Sequence, residues 1–170
     1  WHAAVATGVP LDEYAAPADT VMVTLSKGLG CPVGSLLAGS HDAIERAWRV
    51  RRRMGGSMRQ SGILAAAGLY ALDHHLDRLA DDHRNARLLA ELAAGIDGVR
   101  PVEPDTNIVM LDLLRDDLDA ATIVARLADR GVRLSMFSPT RLRAVTHLDV
   151  DDSGVREAMD ALSDLVEAPR

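Results

Sequence analysis

Lys27 is the residue of this chain best suited to covalent chemistry. The 170 residues include 19 basic ones, and Lys27 is the only lysine among them. Arginine keeps its proton at ordinary pH. A lysine amine loses its proton readily when buried or close to other cations, and then acts as a nucleophile. The setting fits that use. Val21-Met22-Val23-Thr24-Leu25 precedes it and reads as a buried strand. Gly28, Gly30 and Gly34 follow, and they allow backbone or a ligand to come close. Position alone leaves two readings open. One is a Schiff-base lysine leaving a strand into a glycine-rich turn. The other is a surface lysine surviving in a chain whose codons favour arginine.

The remaining polar candidates have simpler explanations. Arg46, Arg49, Arg51, Arg52 and Arg53 crowd the end of an expected helix and are followed by Gly55-Gly56, an ordinary helix stop. The sharper alternative is that one or two of them, with Arg59, face an anion. A phosphate monoester suits better than nucleic acid, because only Trp48 is interleaved as a stacking residue. His83 lies on an apolar helical stripe, where a satisfied, partly buried histidine is the usual case. His74 and His75 are adjacent, so on a helix they cannot share a metal as an i, i+4 pair would. No metal site is expected. Gly28 and Gly30 do not begin a dinucleotide fingerprint, since Val33 stands where its third glycine belongs and Pro32 blocks helix entry.

The elements that must position these residues are read from periodicity and breakers. A short helical turn begins at Pro10, and strands are expected over 20–25 and 34–39. Ser40 or Asp42 caps a helix starting near His41, with Ile44, Ala47 and Trp48 as its stripe. Residues 60–97 repeat apolar positions at steps of three and four, through Leu72, Leu76, Leu79, His83, Ala86, Ala90 and Ala93. That spacing predicts a long amphipathic helix, whole or broken once. Gly95–Pro104 holds two glycines and two prolines and reads as a domain boundary. A β-α-β-β-α run follows, a small α/β domain with its helices on one face of a sheet. Its strands are expected at 107–112, 132–137 and 142–148, with one helix ended by Gly131 and a last one carrying Val155, Met159, Leu162 and Leu165.

Composition sets bounds on function. The net charge of −6 argues against nucleic-acid binding by bulk electrostatics. No apolar run is long enough to span a membrane, and no signal-peptide pattern opens the chain. The single cysteine, Cys31, rules out an internal disulfide and fits a reducing cytoplasm. The chain opens Trp1-His2-Ala3 without methionine, which suggests a piece of a longer polypeptide.

Three segments carry a family resemblance: Leu25-Ser26-Lys27-Gly28-Leu29-Gly30-Cys31-Pro32-Val33-Gly34-Ser35, Met58-Arg59-Gln60-Ser61-Gly62-Ile63-Leu64-Ala65-Ala66-Ala67-Gly68, and Arg143-Ala144-Val145-Thr146-His147-Leu148-Asp149-Val150. In order and spacing they resemble the low-specificity L-threonine aldolases, which belong to the fold type I pyridoxal-phosphate enzymes. The resemblance implies retro-aldol cleavage of β-hydroxy amino acids to glycine and an aldehyde. It implies that Lys27 holds the cofactor covalently and that Arg143 grips the substrate carboxylate. Arg59 would face the cofactor phosphate from a neighbouring subunit of a homodimer or homotetramer. Arg52 would add positive charge where some relatives carry lysine. For the fold it implies the end of the large cofactor-binding domain over 1–59, a long connecting helix over 60–97 and a small C-terminal α/β domain over 98–170. The aspartate that pairs with the pyridine nitrogen, the phosphate loop and the ring-stacking histidine would all lie before Trp1. The chain is therefore expected to be an incomplete subunit, inactive alone. Two alternatives are a non-catalytic remnant serving as an interaction module and another fold type I lyase or aminotransferase.

Overall fold

The apolar run before Lys27 forms a strand, β1 (Thr20–Thr24), and pairs antiparallel with β2 (Ser35–Gly39) across the glycine-rich loop. The computed structural model describes residues 1–167 and divides into two compact units, one over Trp1–Leu79 and one from Ala80 onward.

In the first unit, two short helices, α1 (His2–Thr7) and α2 (Leu11–Ala15), lead into β1. After β2 comes α3 (His41–Arg53). Its first turn is capped by Ser40, whose Oγ accepts from the Ala43 amide at 3.3 Å, and Arg51, Arg52 and Arg53 oppose the helix dipole in its last turn. Gly55 then takes a left-handed φ of 74°. The unit ends with α4 (Gly62–His74). Its core is small: Leu25, Leu29, Cys31, Ala71 and Leu79, with Trp1, Val5, Leu72 and Leu76 against them. Met22, Leu36, Leu37, Ile63, Leu69 and Tyr70 are all exposed.

The second unit contains α5 (Leu79–Ala93) and a four-stranded antiparallel sheet of order β3-β4-β6-β5. The strands are β3 (Val99–Val102), β4 (Ile108–Leu113), β5 (Ser135–Ser138) and β6 (Arg141–Val145). Between β4 and β5 runs α6 (Ala120–Asp129), capped by Asp119, whose Oδ2 accepts from the Thr122 amide at 2.8 Å. After β6 comes α7 (Asp152–Glu167), where Asp151 accepts from the Gly154 amide at 2.8 Å. Side chains alternate across the sheet. Val109, Leu111, Leu142 and Ala144 point to the helices and share a core with Ala86, Ala90, Ile123, Leu127, Val155, Met159 and Leu162. Each fully buried leucine there contributes about 1.5–3 kcal/mol. The opposite face carries Arg100, Asp112, Arg141, Arg143, Val102, Ile108 and Val145.

Residues 60–97 form two helices separated at 75–78, the single break that the spacing allowed, and the boundary between the two compact units falls at the start of α5. It does not fall in the 95–104 connector, which holds β3. The break contains neither glycine nor proline; Leu76 and Leu79 both pack into the first unit's core, and that packing is the competing pull. Met136, expected to point inward, is half exposed, because the β5–β6 register shifts between Met136 and Ser138. Leu148 is exposed because β6 ends at Val145.

Buried charge gives the second unit a pH response. His83 on α5 is buried, and desolvation with the nearby Arg87 charge lowers its pKa from 6.5, against a smaller opposing pull from Asp82. The folded state therefore favours neutral imidazole. As pH falls below about 6.5 the unfolded chain takes up the proton first, so stability is lost in that window, by at most about 1.4 kcal/mol per pH unit for one proton. Urea midpoints between about pH 7.5 and 5.5 should fall for the native chain and stay flatter for His83→Gln. Parallel slopes would assign the effect to other groups.

Candidate functional site

The Lys27 loop is a built structure rather than a slack connection. The Gly30 amide donates to the Lys27 carbonyl at 2.8 Å, which closes a tight turn over Lys27-Gly28-Leu29-Gly30, and Gly30 has a left-handed φ of 70°. Two more bonds close the loop mouth: Leu25 N–H to Gly34 O at 2.9 Å and Cys31 N–H to Leu25 O at 3.1 Å. Leu25, Leu29 and Cys31 are buried and anchor the turn from below, while Lys27 is exposed on top.

Neighbouring segments brace this turn. The Trp1 indole donates to Thr24 O at 2.9 Å, Cys31 Sγ donates to Ala67 O at 3.7 Å, and His75 Nδ1 lies 2.7 Å from Leu29 O. Gly28 is closely approached by side chains: a methyl group there would stand 2.6 Å from His2 Nε2 and 3.1 Å from Leu79 Cδ2, so the His2 side chain would have to shift. The backbone beside Lys27 is thus fixed on several sides while its amine stays accessible.

The arginine cluster of α3 sorts by partner. Arg51 is committed locally, since its Nε donates to Gly56 O at 2.7 Å and its guanidinium lies 4.9 Å from the Trp48 ring centroid. Arg52 lines an open concavity with Glu45, Trp48, Arg49 and Ser57. Arg59 is exposed in the turn before α4, and Gln60 beside it is the one non-glycine residue with a positive φ, 55°, among the described residues. Left-handed backbone at glutamine costs energy and marks a constrained segment.

On β6, Arg141 and Arg143 share the exposed face, two positions apart. Arg141 Nε donates to Asp112 Oδ1 at 2.5 Å, and Arg100 reaches the other oxygen of Asp112 at 3.1 Å. These guanidiniums, Arg141 first, hold the Asp112 carboxyl below its ordinary range. Arg143 stands opposite Met110 and Ser135 and makes no ion pair among the described residues.

Lys27, Arg52 and Arg59 belong to the first unit and Arg143 to the second. Among the described residues no hydrogen bond joins any two of Lys27, Arg52 and Arg59, and no group of three or more His, Cys, Asp or Glu residues could hold a metal. No helix among the described residues is long and apolar enough to cross a membrane. Sequence reasoning missed Asp112, His75 and His2. For Asp112 a signal existed, an acidic residue set in the apolar strand Ile108-Val109-Met110-Leu111-Asp112-Leu113. His2 and His75 carry no local signal, since their roles depend on contacts distant in sequence.

Comparison with known proteins follows the same lines. The family model for beta-eliminating lyases matches residues 1–116. The low specificity L-threonine aldolase of Escherichia coli is 45% identical over 159 residues, covering 92% of this chain and 46% of the relative. Low-specificity L-threonine aldolase 1 of Arabidopsis thaliana is 40% identical over 158 residues, covering 91% and 44%. The chain thus spans about half the length of the curated relatives it matches. A solved structure from Listeria monocytogenes, described as a candidate L-allo-threonine aldolase, superposes with a TM-score of 0.77 at 21% identity, covering 96% of this chain and 49% of that one. At that identity the superposition speaks for the fold alone.

Proposed function

The chain belongs to the beta-eliminating lyase family, and from that premise we propose that it carries the lysine and the carboxylate clamp of a pyridoxal-phosphate-dependent threonine aldolase. The reaction is cleavage of L-threonine or L-allo-threonine to glycine and acetaldehyde. The observation that carries this reading is Lys27, the sole side-chain amine, displayed on a turn braced by hydrogen bonds and by the buried Leu25, Leu29 and Cys31.

These residues fit the cofactor. An exposed amine on a fixed backbone suits a covalent link, and two cations with no ion-pair partner among the described residues, Arg52 and Arg59, suit a phosphate. Bound pyridoxal phosphate supplies an electron sink for the pair released when the Cα–Cβ bond breaks. Lys27 would hold the cofactor through its side-chain amine. Arg143 would take the substrate carboxylate in a two-pronged grip and so fix the orientation of the bonds at Cα. The β-hydroxyl gives up its proton to a base, its oxygen becomes the aldehyde carbonyl, and a proton returned to Cα completes glycine.

Assembly belongs to the same reading. Ile63, Leu69 and Tyr70 on α4 are 78%, 64% and 59% exposed, a surface that suits burial in a homodimer or homotetramer, with Arg59 near the boundary. A cytoplasmic location accords with the lone reduced cysteine.

Catalysis of this type needs an amine, a carboxylate clamp, a carboxylate partner for the pyridine nitrogen and a phosphate cradle. Lys27 and Arg143 supply the first two. We expect the purified 170-residue chain with added pyridoxal phosphate to release no acetaldehyde from threonine. Borohydride reduction followed by peptide mapping should nevertheless place the pyridoxyl label on Lys27. Labelling confined to the N-terminal amine would remove the lysine from the reading, and acetaldehyde release would overturn the division of roles.

A further inference from the structure

The exposed face of the second unit's sheet holds three arginines in two adjacent rows. Arg100, Asp112 and Arg141 are cross-strand neighbours in one row, and Arg143 stands in the next, beside Met110 and Val102. Two strand rises of about 3.3 Å separate Arg141 from Arg143, well within reach of two long side chains for the same small ligand. A carboxylate arriving at this face would meet two equivalent forks if both were free. It does not, because Asp112 occupies the Nε edge of Arg141 with one oxygen and Arg100 with the other. The Nε edge is the one needed for a side-on bidentate grip. Two guanidiniums against one carboxylate still leave this row net positive, so the field attracting an anion persists while its donors are engaged.

Resting on the reading of Arg143 as the carboxylate clamp, we propose that Asp112 is a positioning residue for it. By engaging Arg141 Nε and Arg100 Nη2, Asp112 leaves Arg143 as the arginine of this sheet without an ion-pair partner among the described residues, and so favours its row for docking the substrate. Arg141 is the rival that Asp112 silences.

The test follows the arginine Nε–Hε resonances of the 170-residue chain during titration with glycine, with methylammonium as the control lacking a carboxylate. In the native chain the Arg143 signal should shift saturably with glycine only, while Arg141 stays still. In Asp112→Asn, Arg141 should begin to respond, and the affinity reported by Arg143 should weaken several-fold. Asp112→Asn combined with Arg141→Leu should restore the native Arg143 response, a rescue that a purely structural role for Asp112 would not give. Arg141→Leu alone should leave Arg143 unchanged, and this arm stands even if the asparagine variant fails to fold. A native chain whose Arg143 ignores glycine overturns the clamp reading itself. An Arg143 that responds while Arg141 does too, or that is altered by Arg141→Leu alone, overturns only the role of Asp112. So does an Arg141 that stays silent in Asp112→Asn.

Discussion

Lys27→Arg will abolish covalent cofactor attachment and lyase activity in any active polypeptide containing this chain, while leaving the fold intact. The charge is kept, and the side chain is exposed, so the loop's hydrogen bonds and its buried anchors Leu25, Leu29 and Cys31 lose nothing. What is lost is an amine able to shed its proton, because a guanidinium stays protonated throughout the working range. No second lysine can substitute. Turnover should fall by at least about 10²-fold, the lower end for removing a positioned proton-transfer group, with covalent attachment lost besides. The visible absorbance of the lysine-bound cofactor should vanish from the dialysed protein, and circular dichroism should not change. A variant that stayed yellow after dialysis would put the attachment at another amine.

Arg143→Ala carries the second large effect. Removing charge-assisted hydrogen bonds from a ligand carboxylate should lower kcat/KM by about 10- to 150-fold. The loss should appear in kcat as well as KM, with cofactor absorbance near normal, because Lys27 and not Arg143 holds the cofactor in this reading. Arg141→Ala should cost much less, since its guanidinium already serves Asp112. The reverse ranking, with Arg141→Ala severe and Arg143→Ala silent, would move the clamp to the neighbouring row.

Much of the fold was legible because it is written in local chemistry. Ser40, one of the two expected caps, does cap α3, and Gly55 and Gly131 both end helices in left-handed backbone. The alternation over 141–146 separated buried Leu142, Ala144 and Thr146 from outward Arg141, Arg143 and Val145. What failed or stayed open was decided at long range. β3 was read as connector because of Pro101 and the flanking glycines, yet an edge strand tolerates proline. The apolar repeat through Leu72, Leu76 and Leu79 kept helical spacing across a break that tertiary packing creates. Lys27 was conspicuous as a lone residue type, whereas alternation cannot tell Arg141 from Arg143. Those two share a face, and only the cross-strand partner Asp112 distinguishes them.

The closed turn at Lys27 also makes the chain its own reporter of loop opening. A protease specific for lysine has one bond to cut here, between Lys27 and Gly28. The carbonyl of that bond is the acceptor from Gly30 N–H, and Gly28 is wedged against His2 and Leu79. Cleavage must wait for the turn to unlatch, so when reclosing outruns cutting, the nicking rate measures the equilibrium population of the open loop. One gel band splitting into two would then time the motion of the loop that carries the chain's only amine side chain.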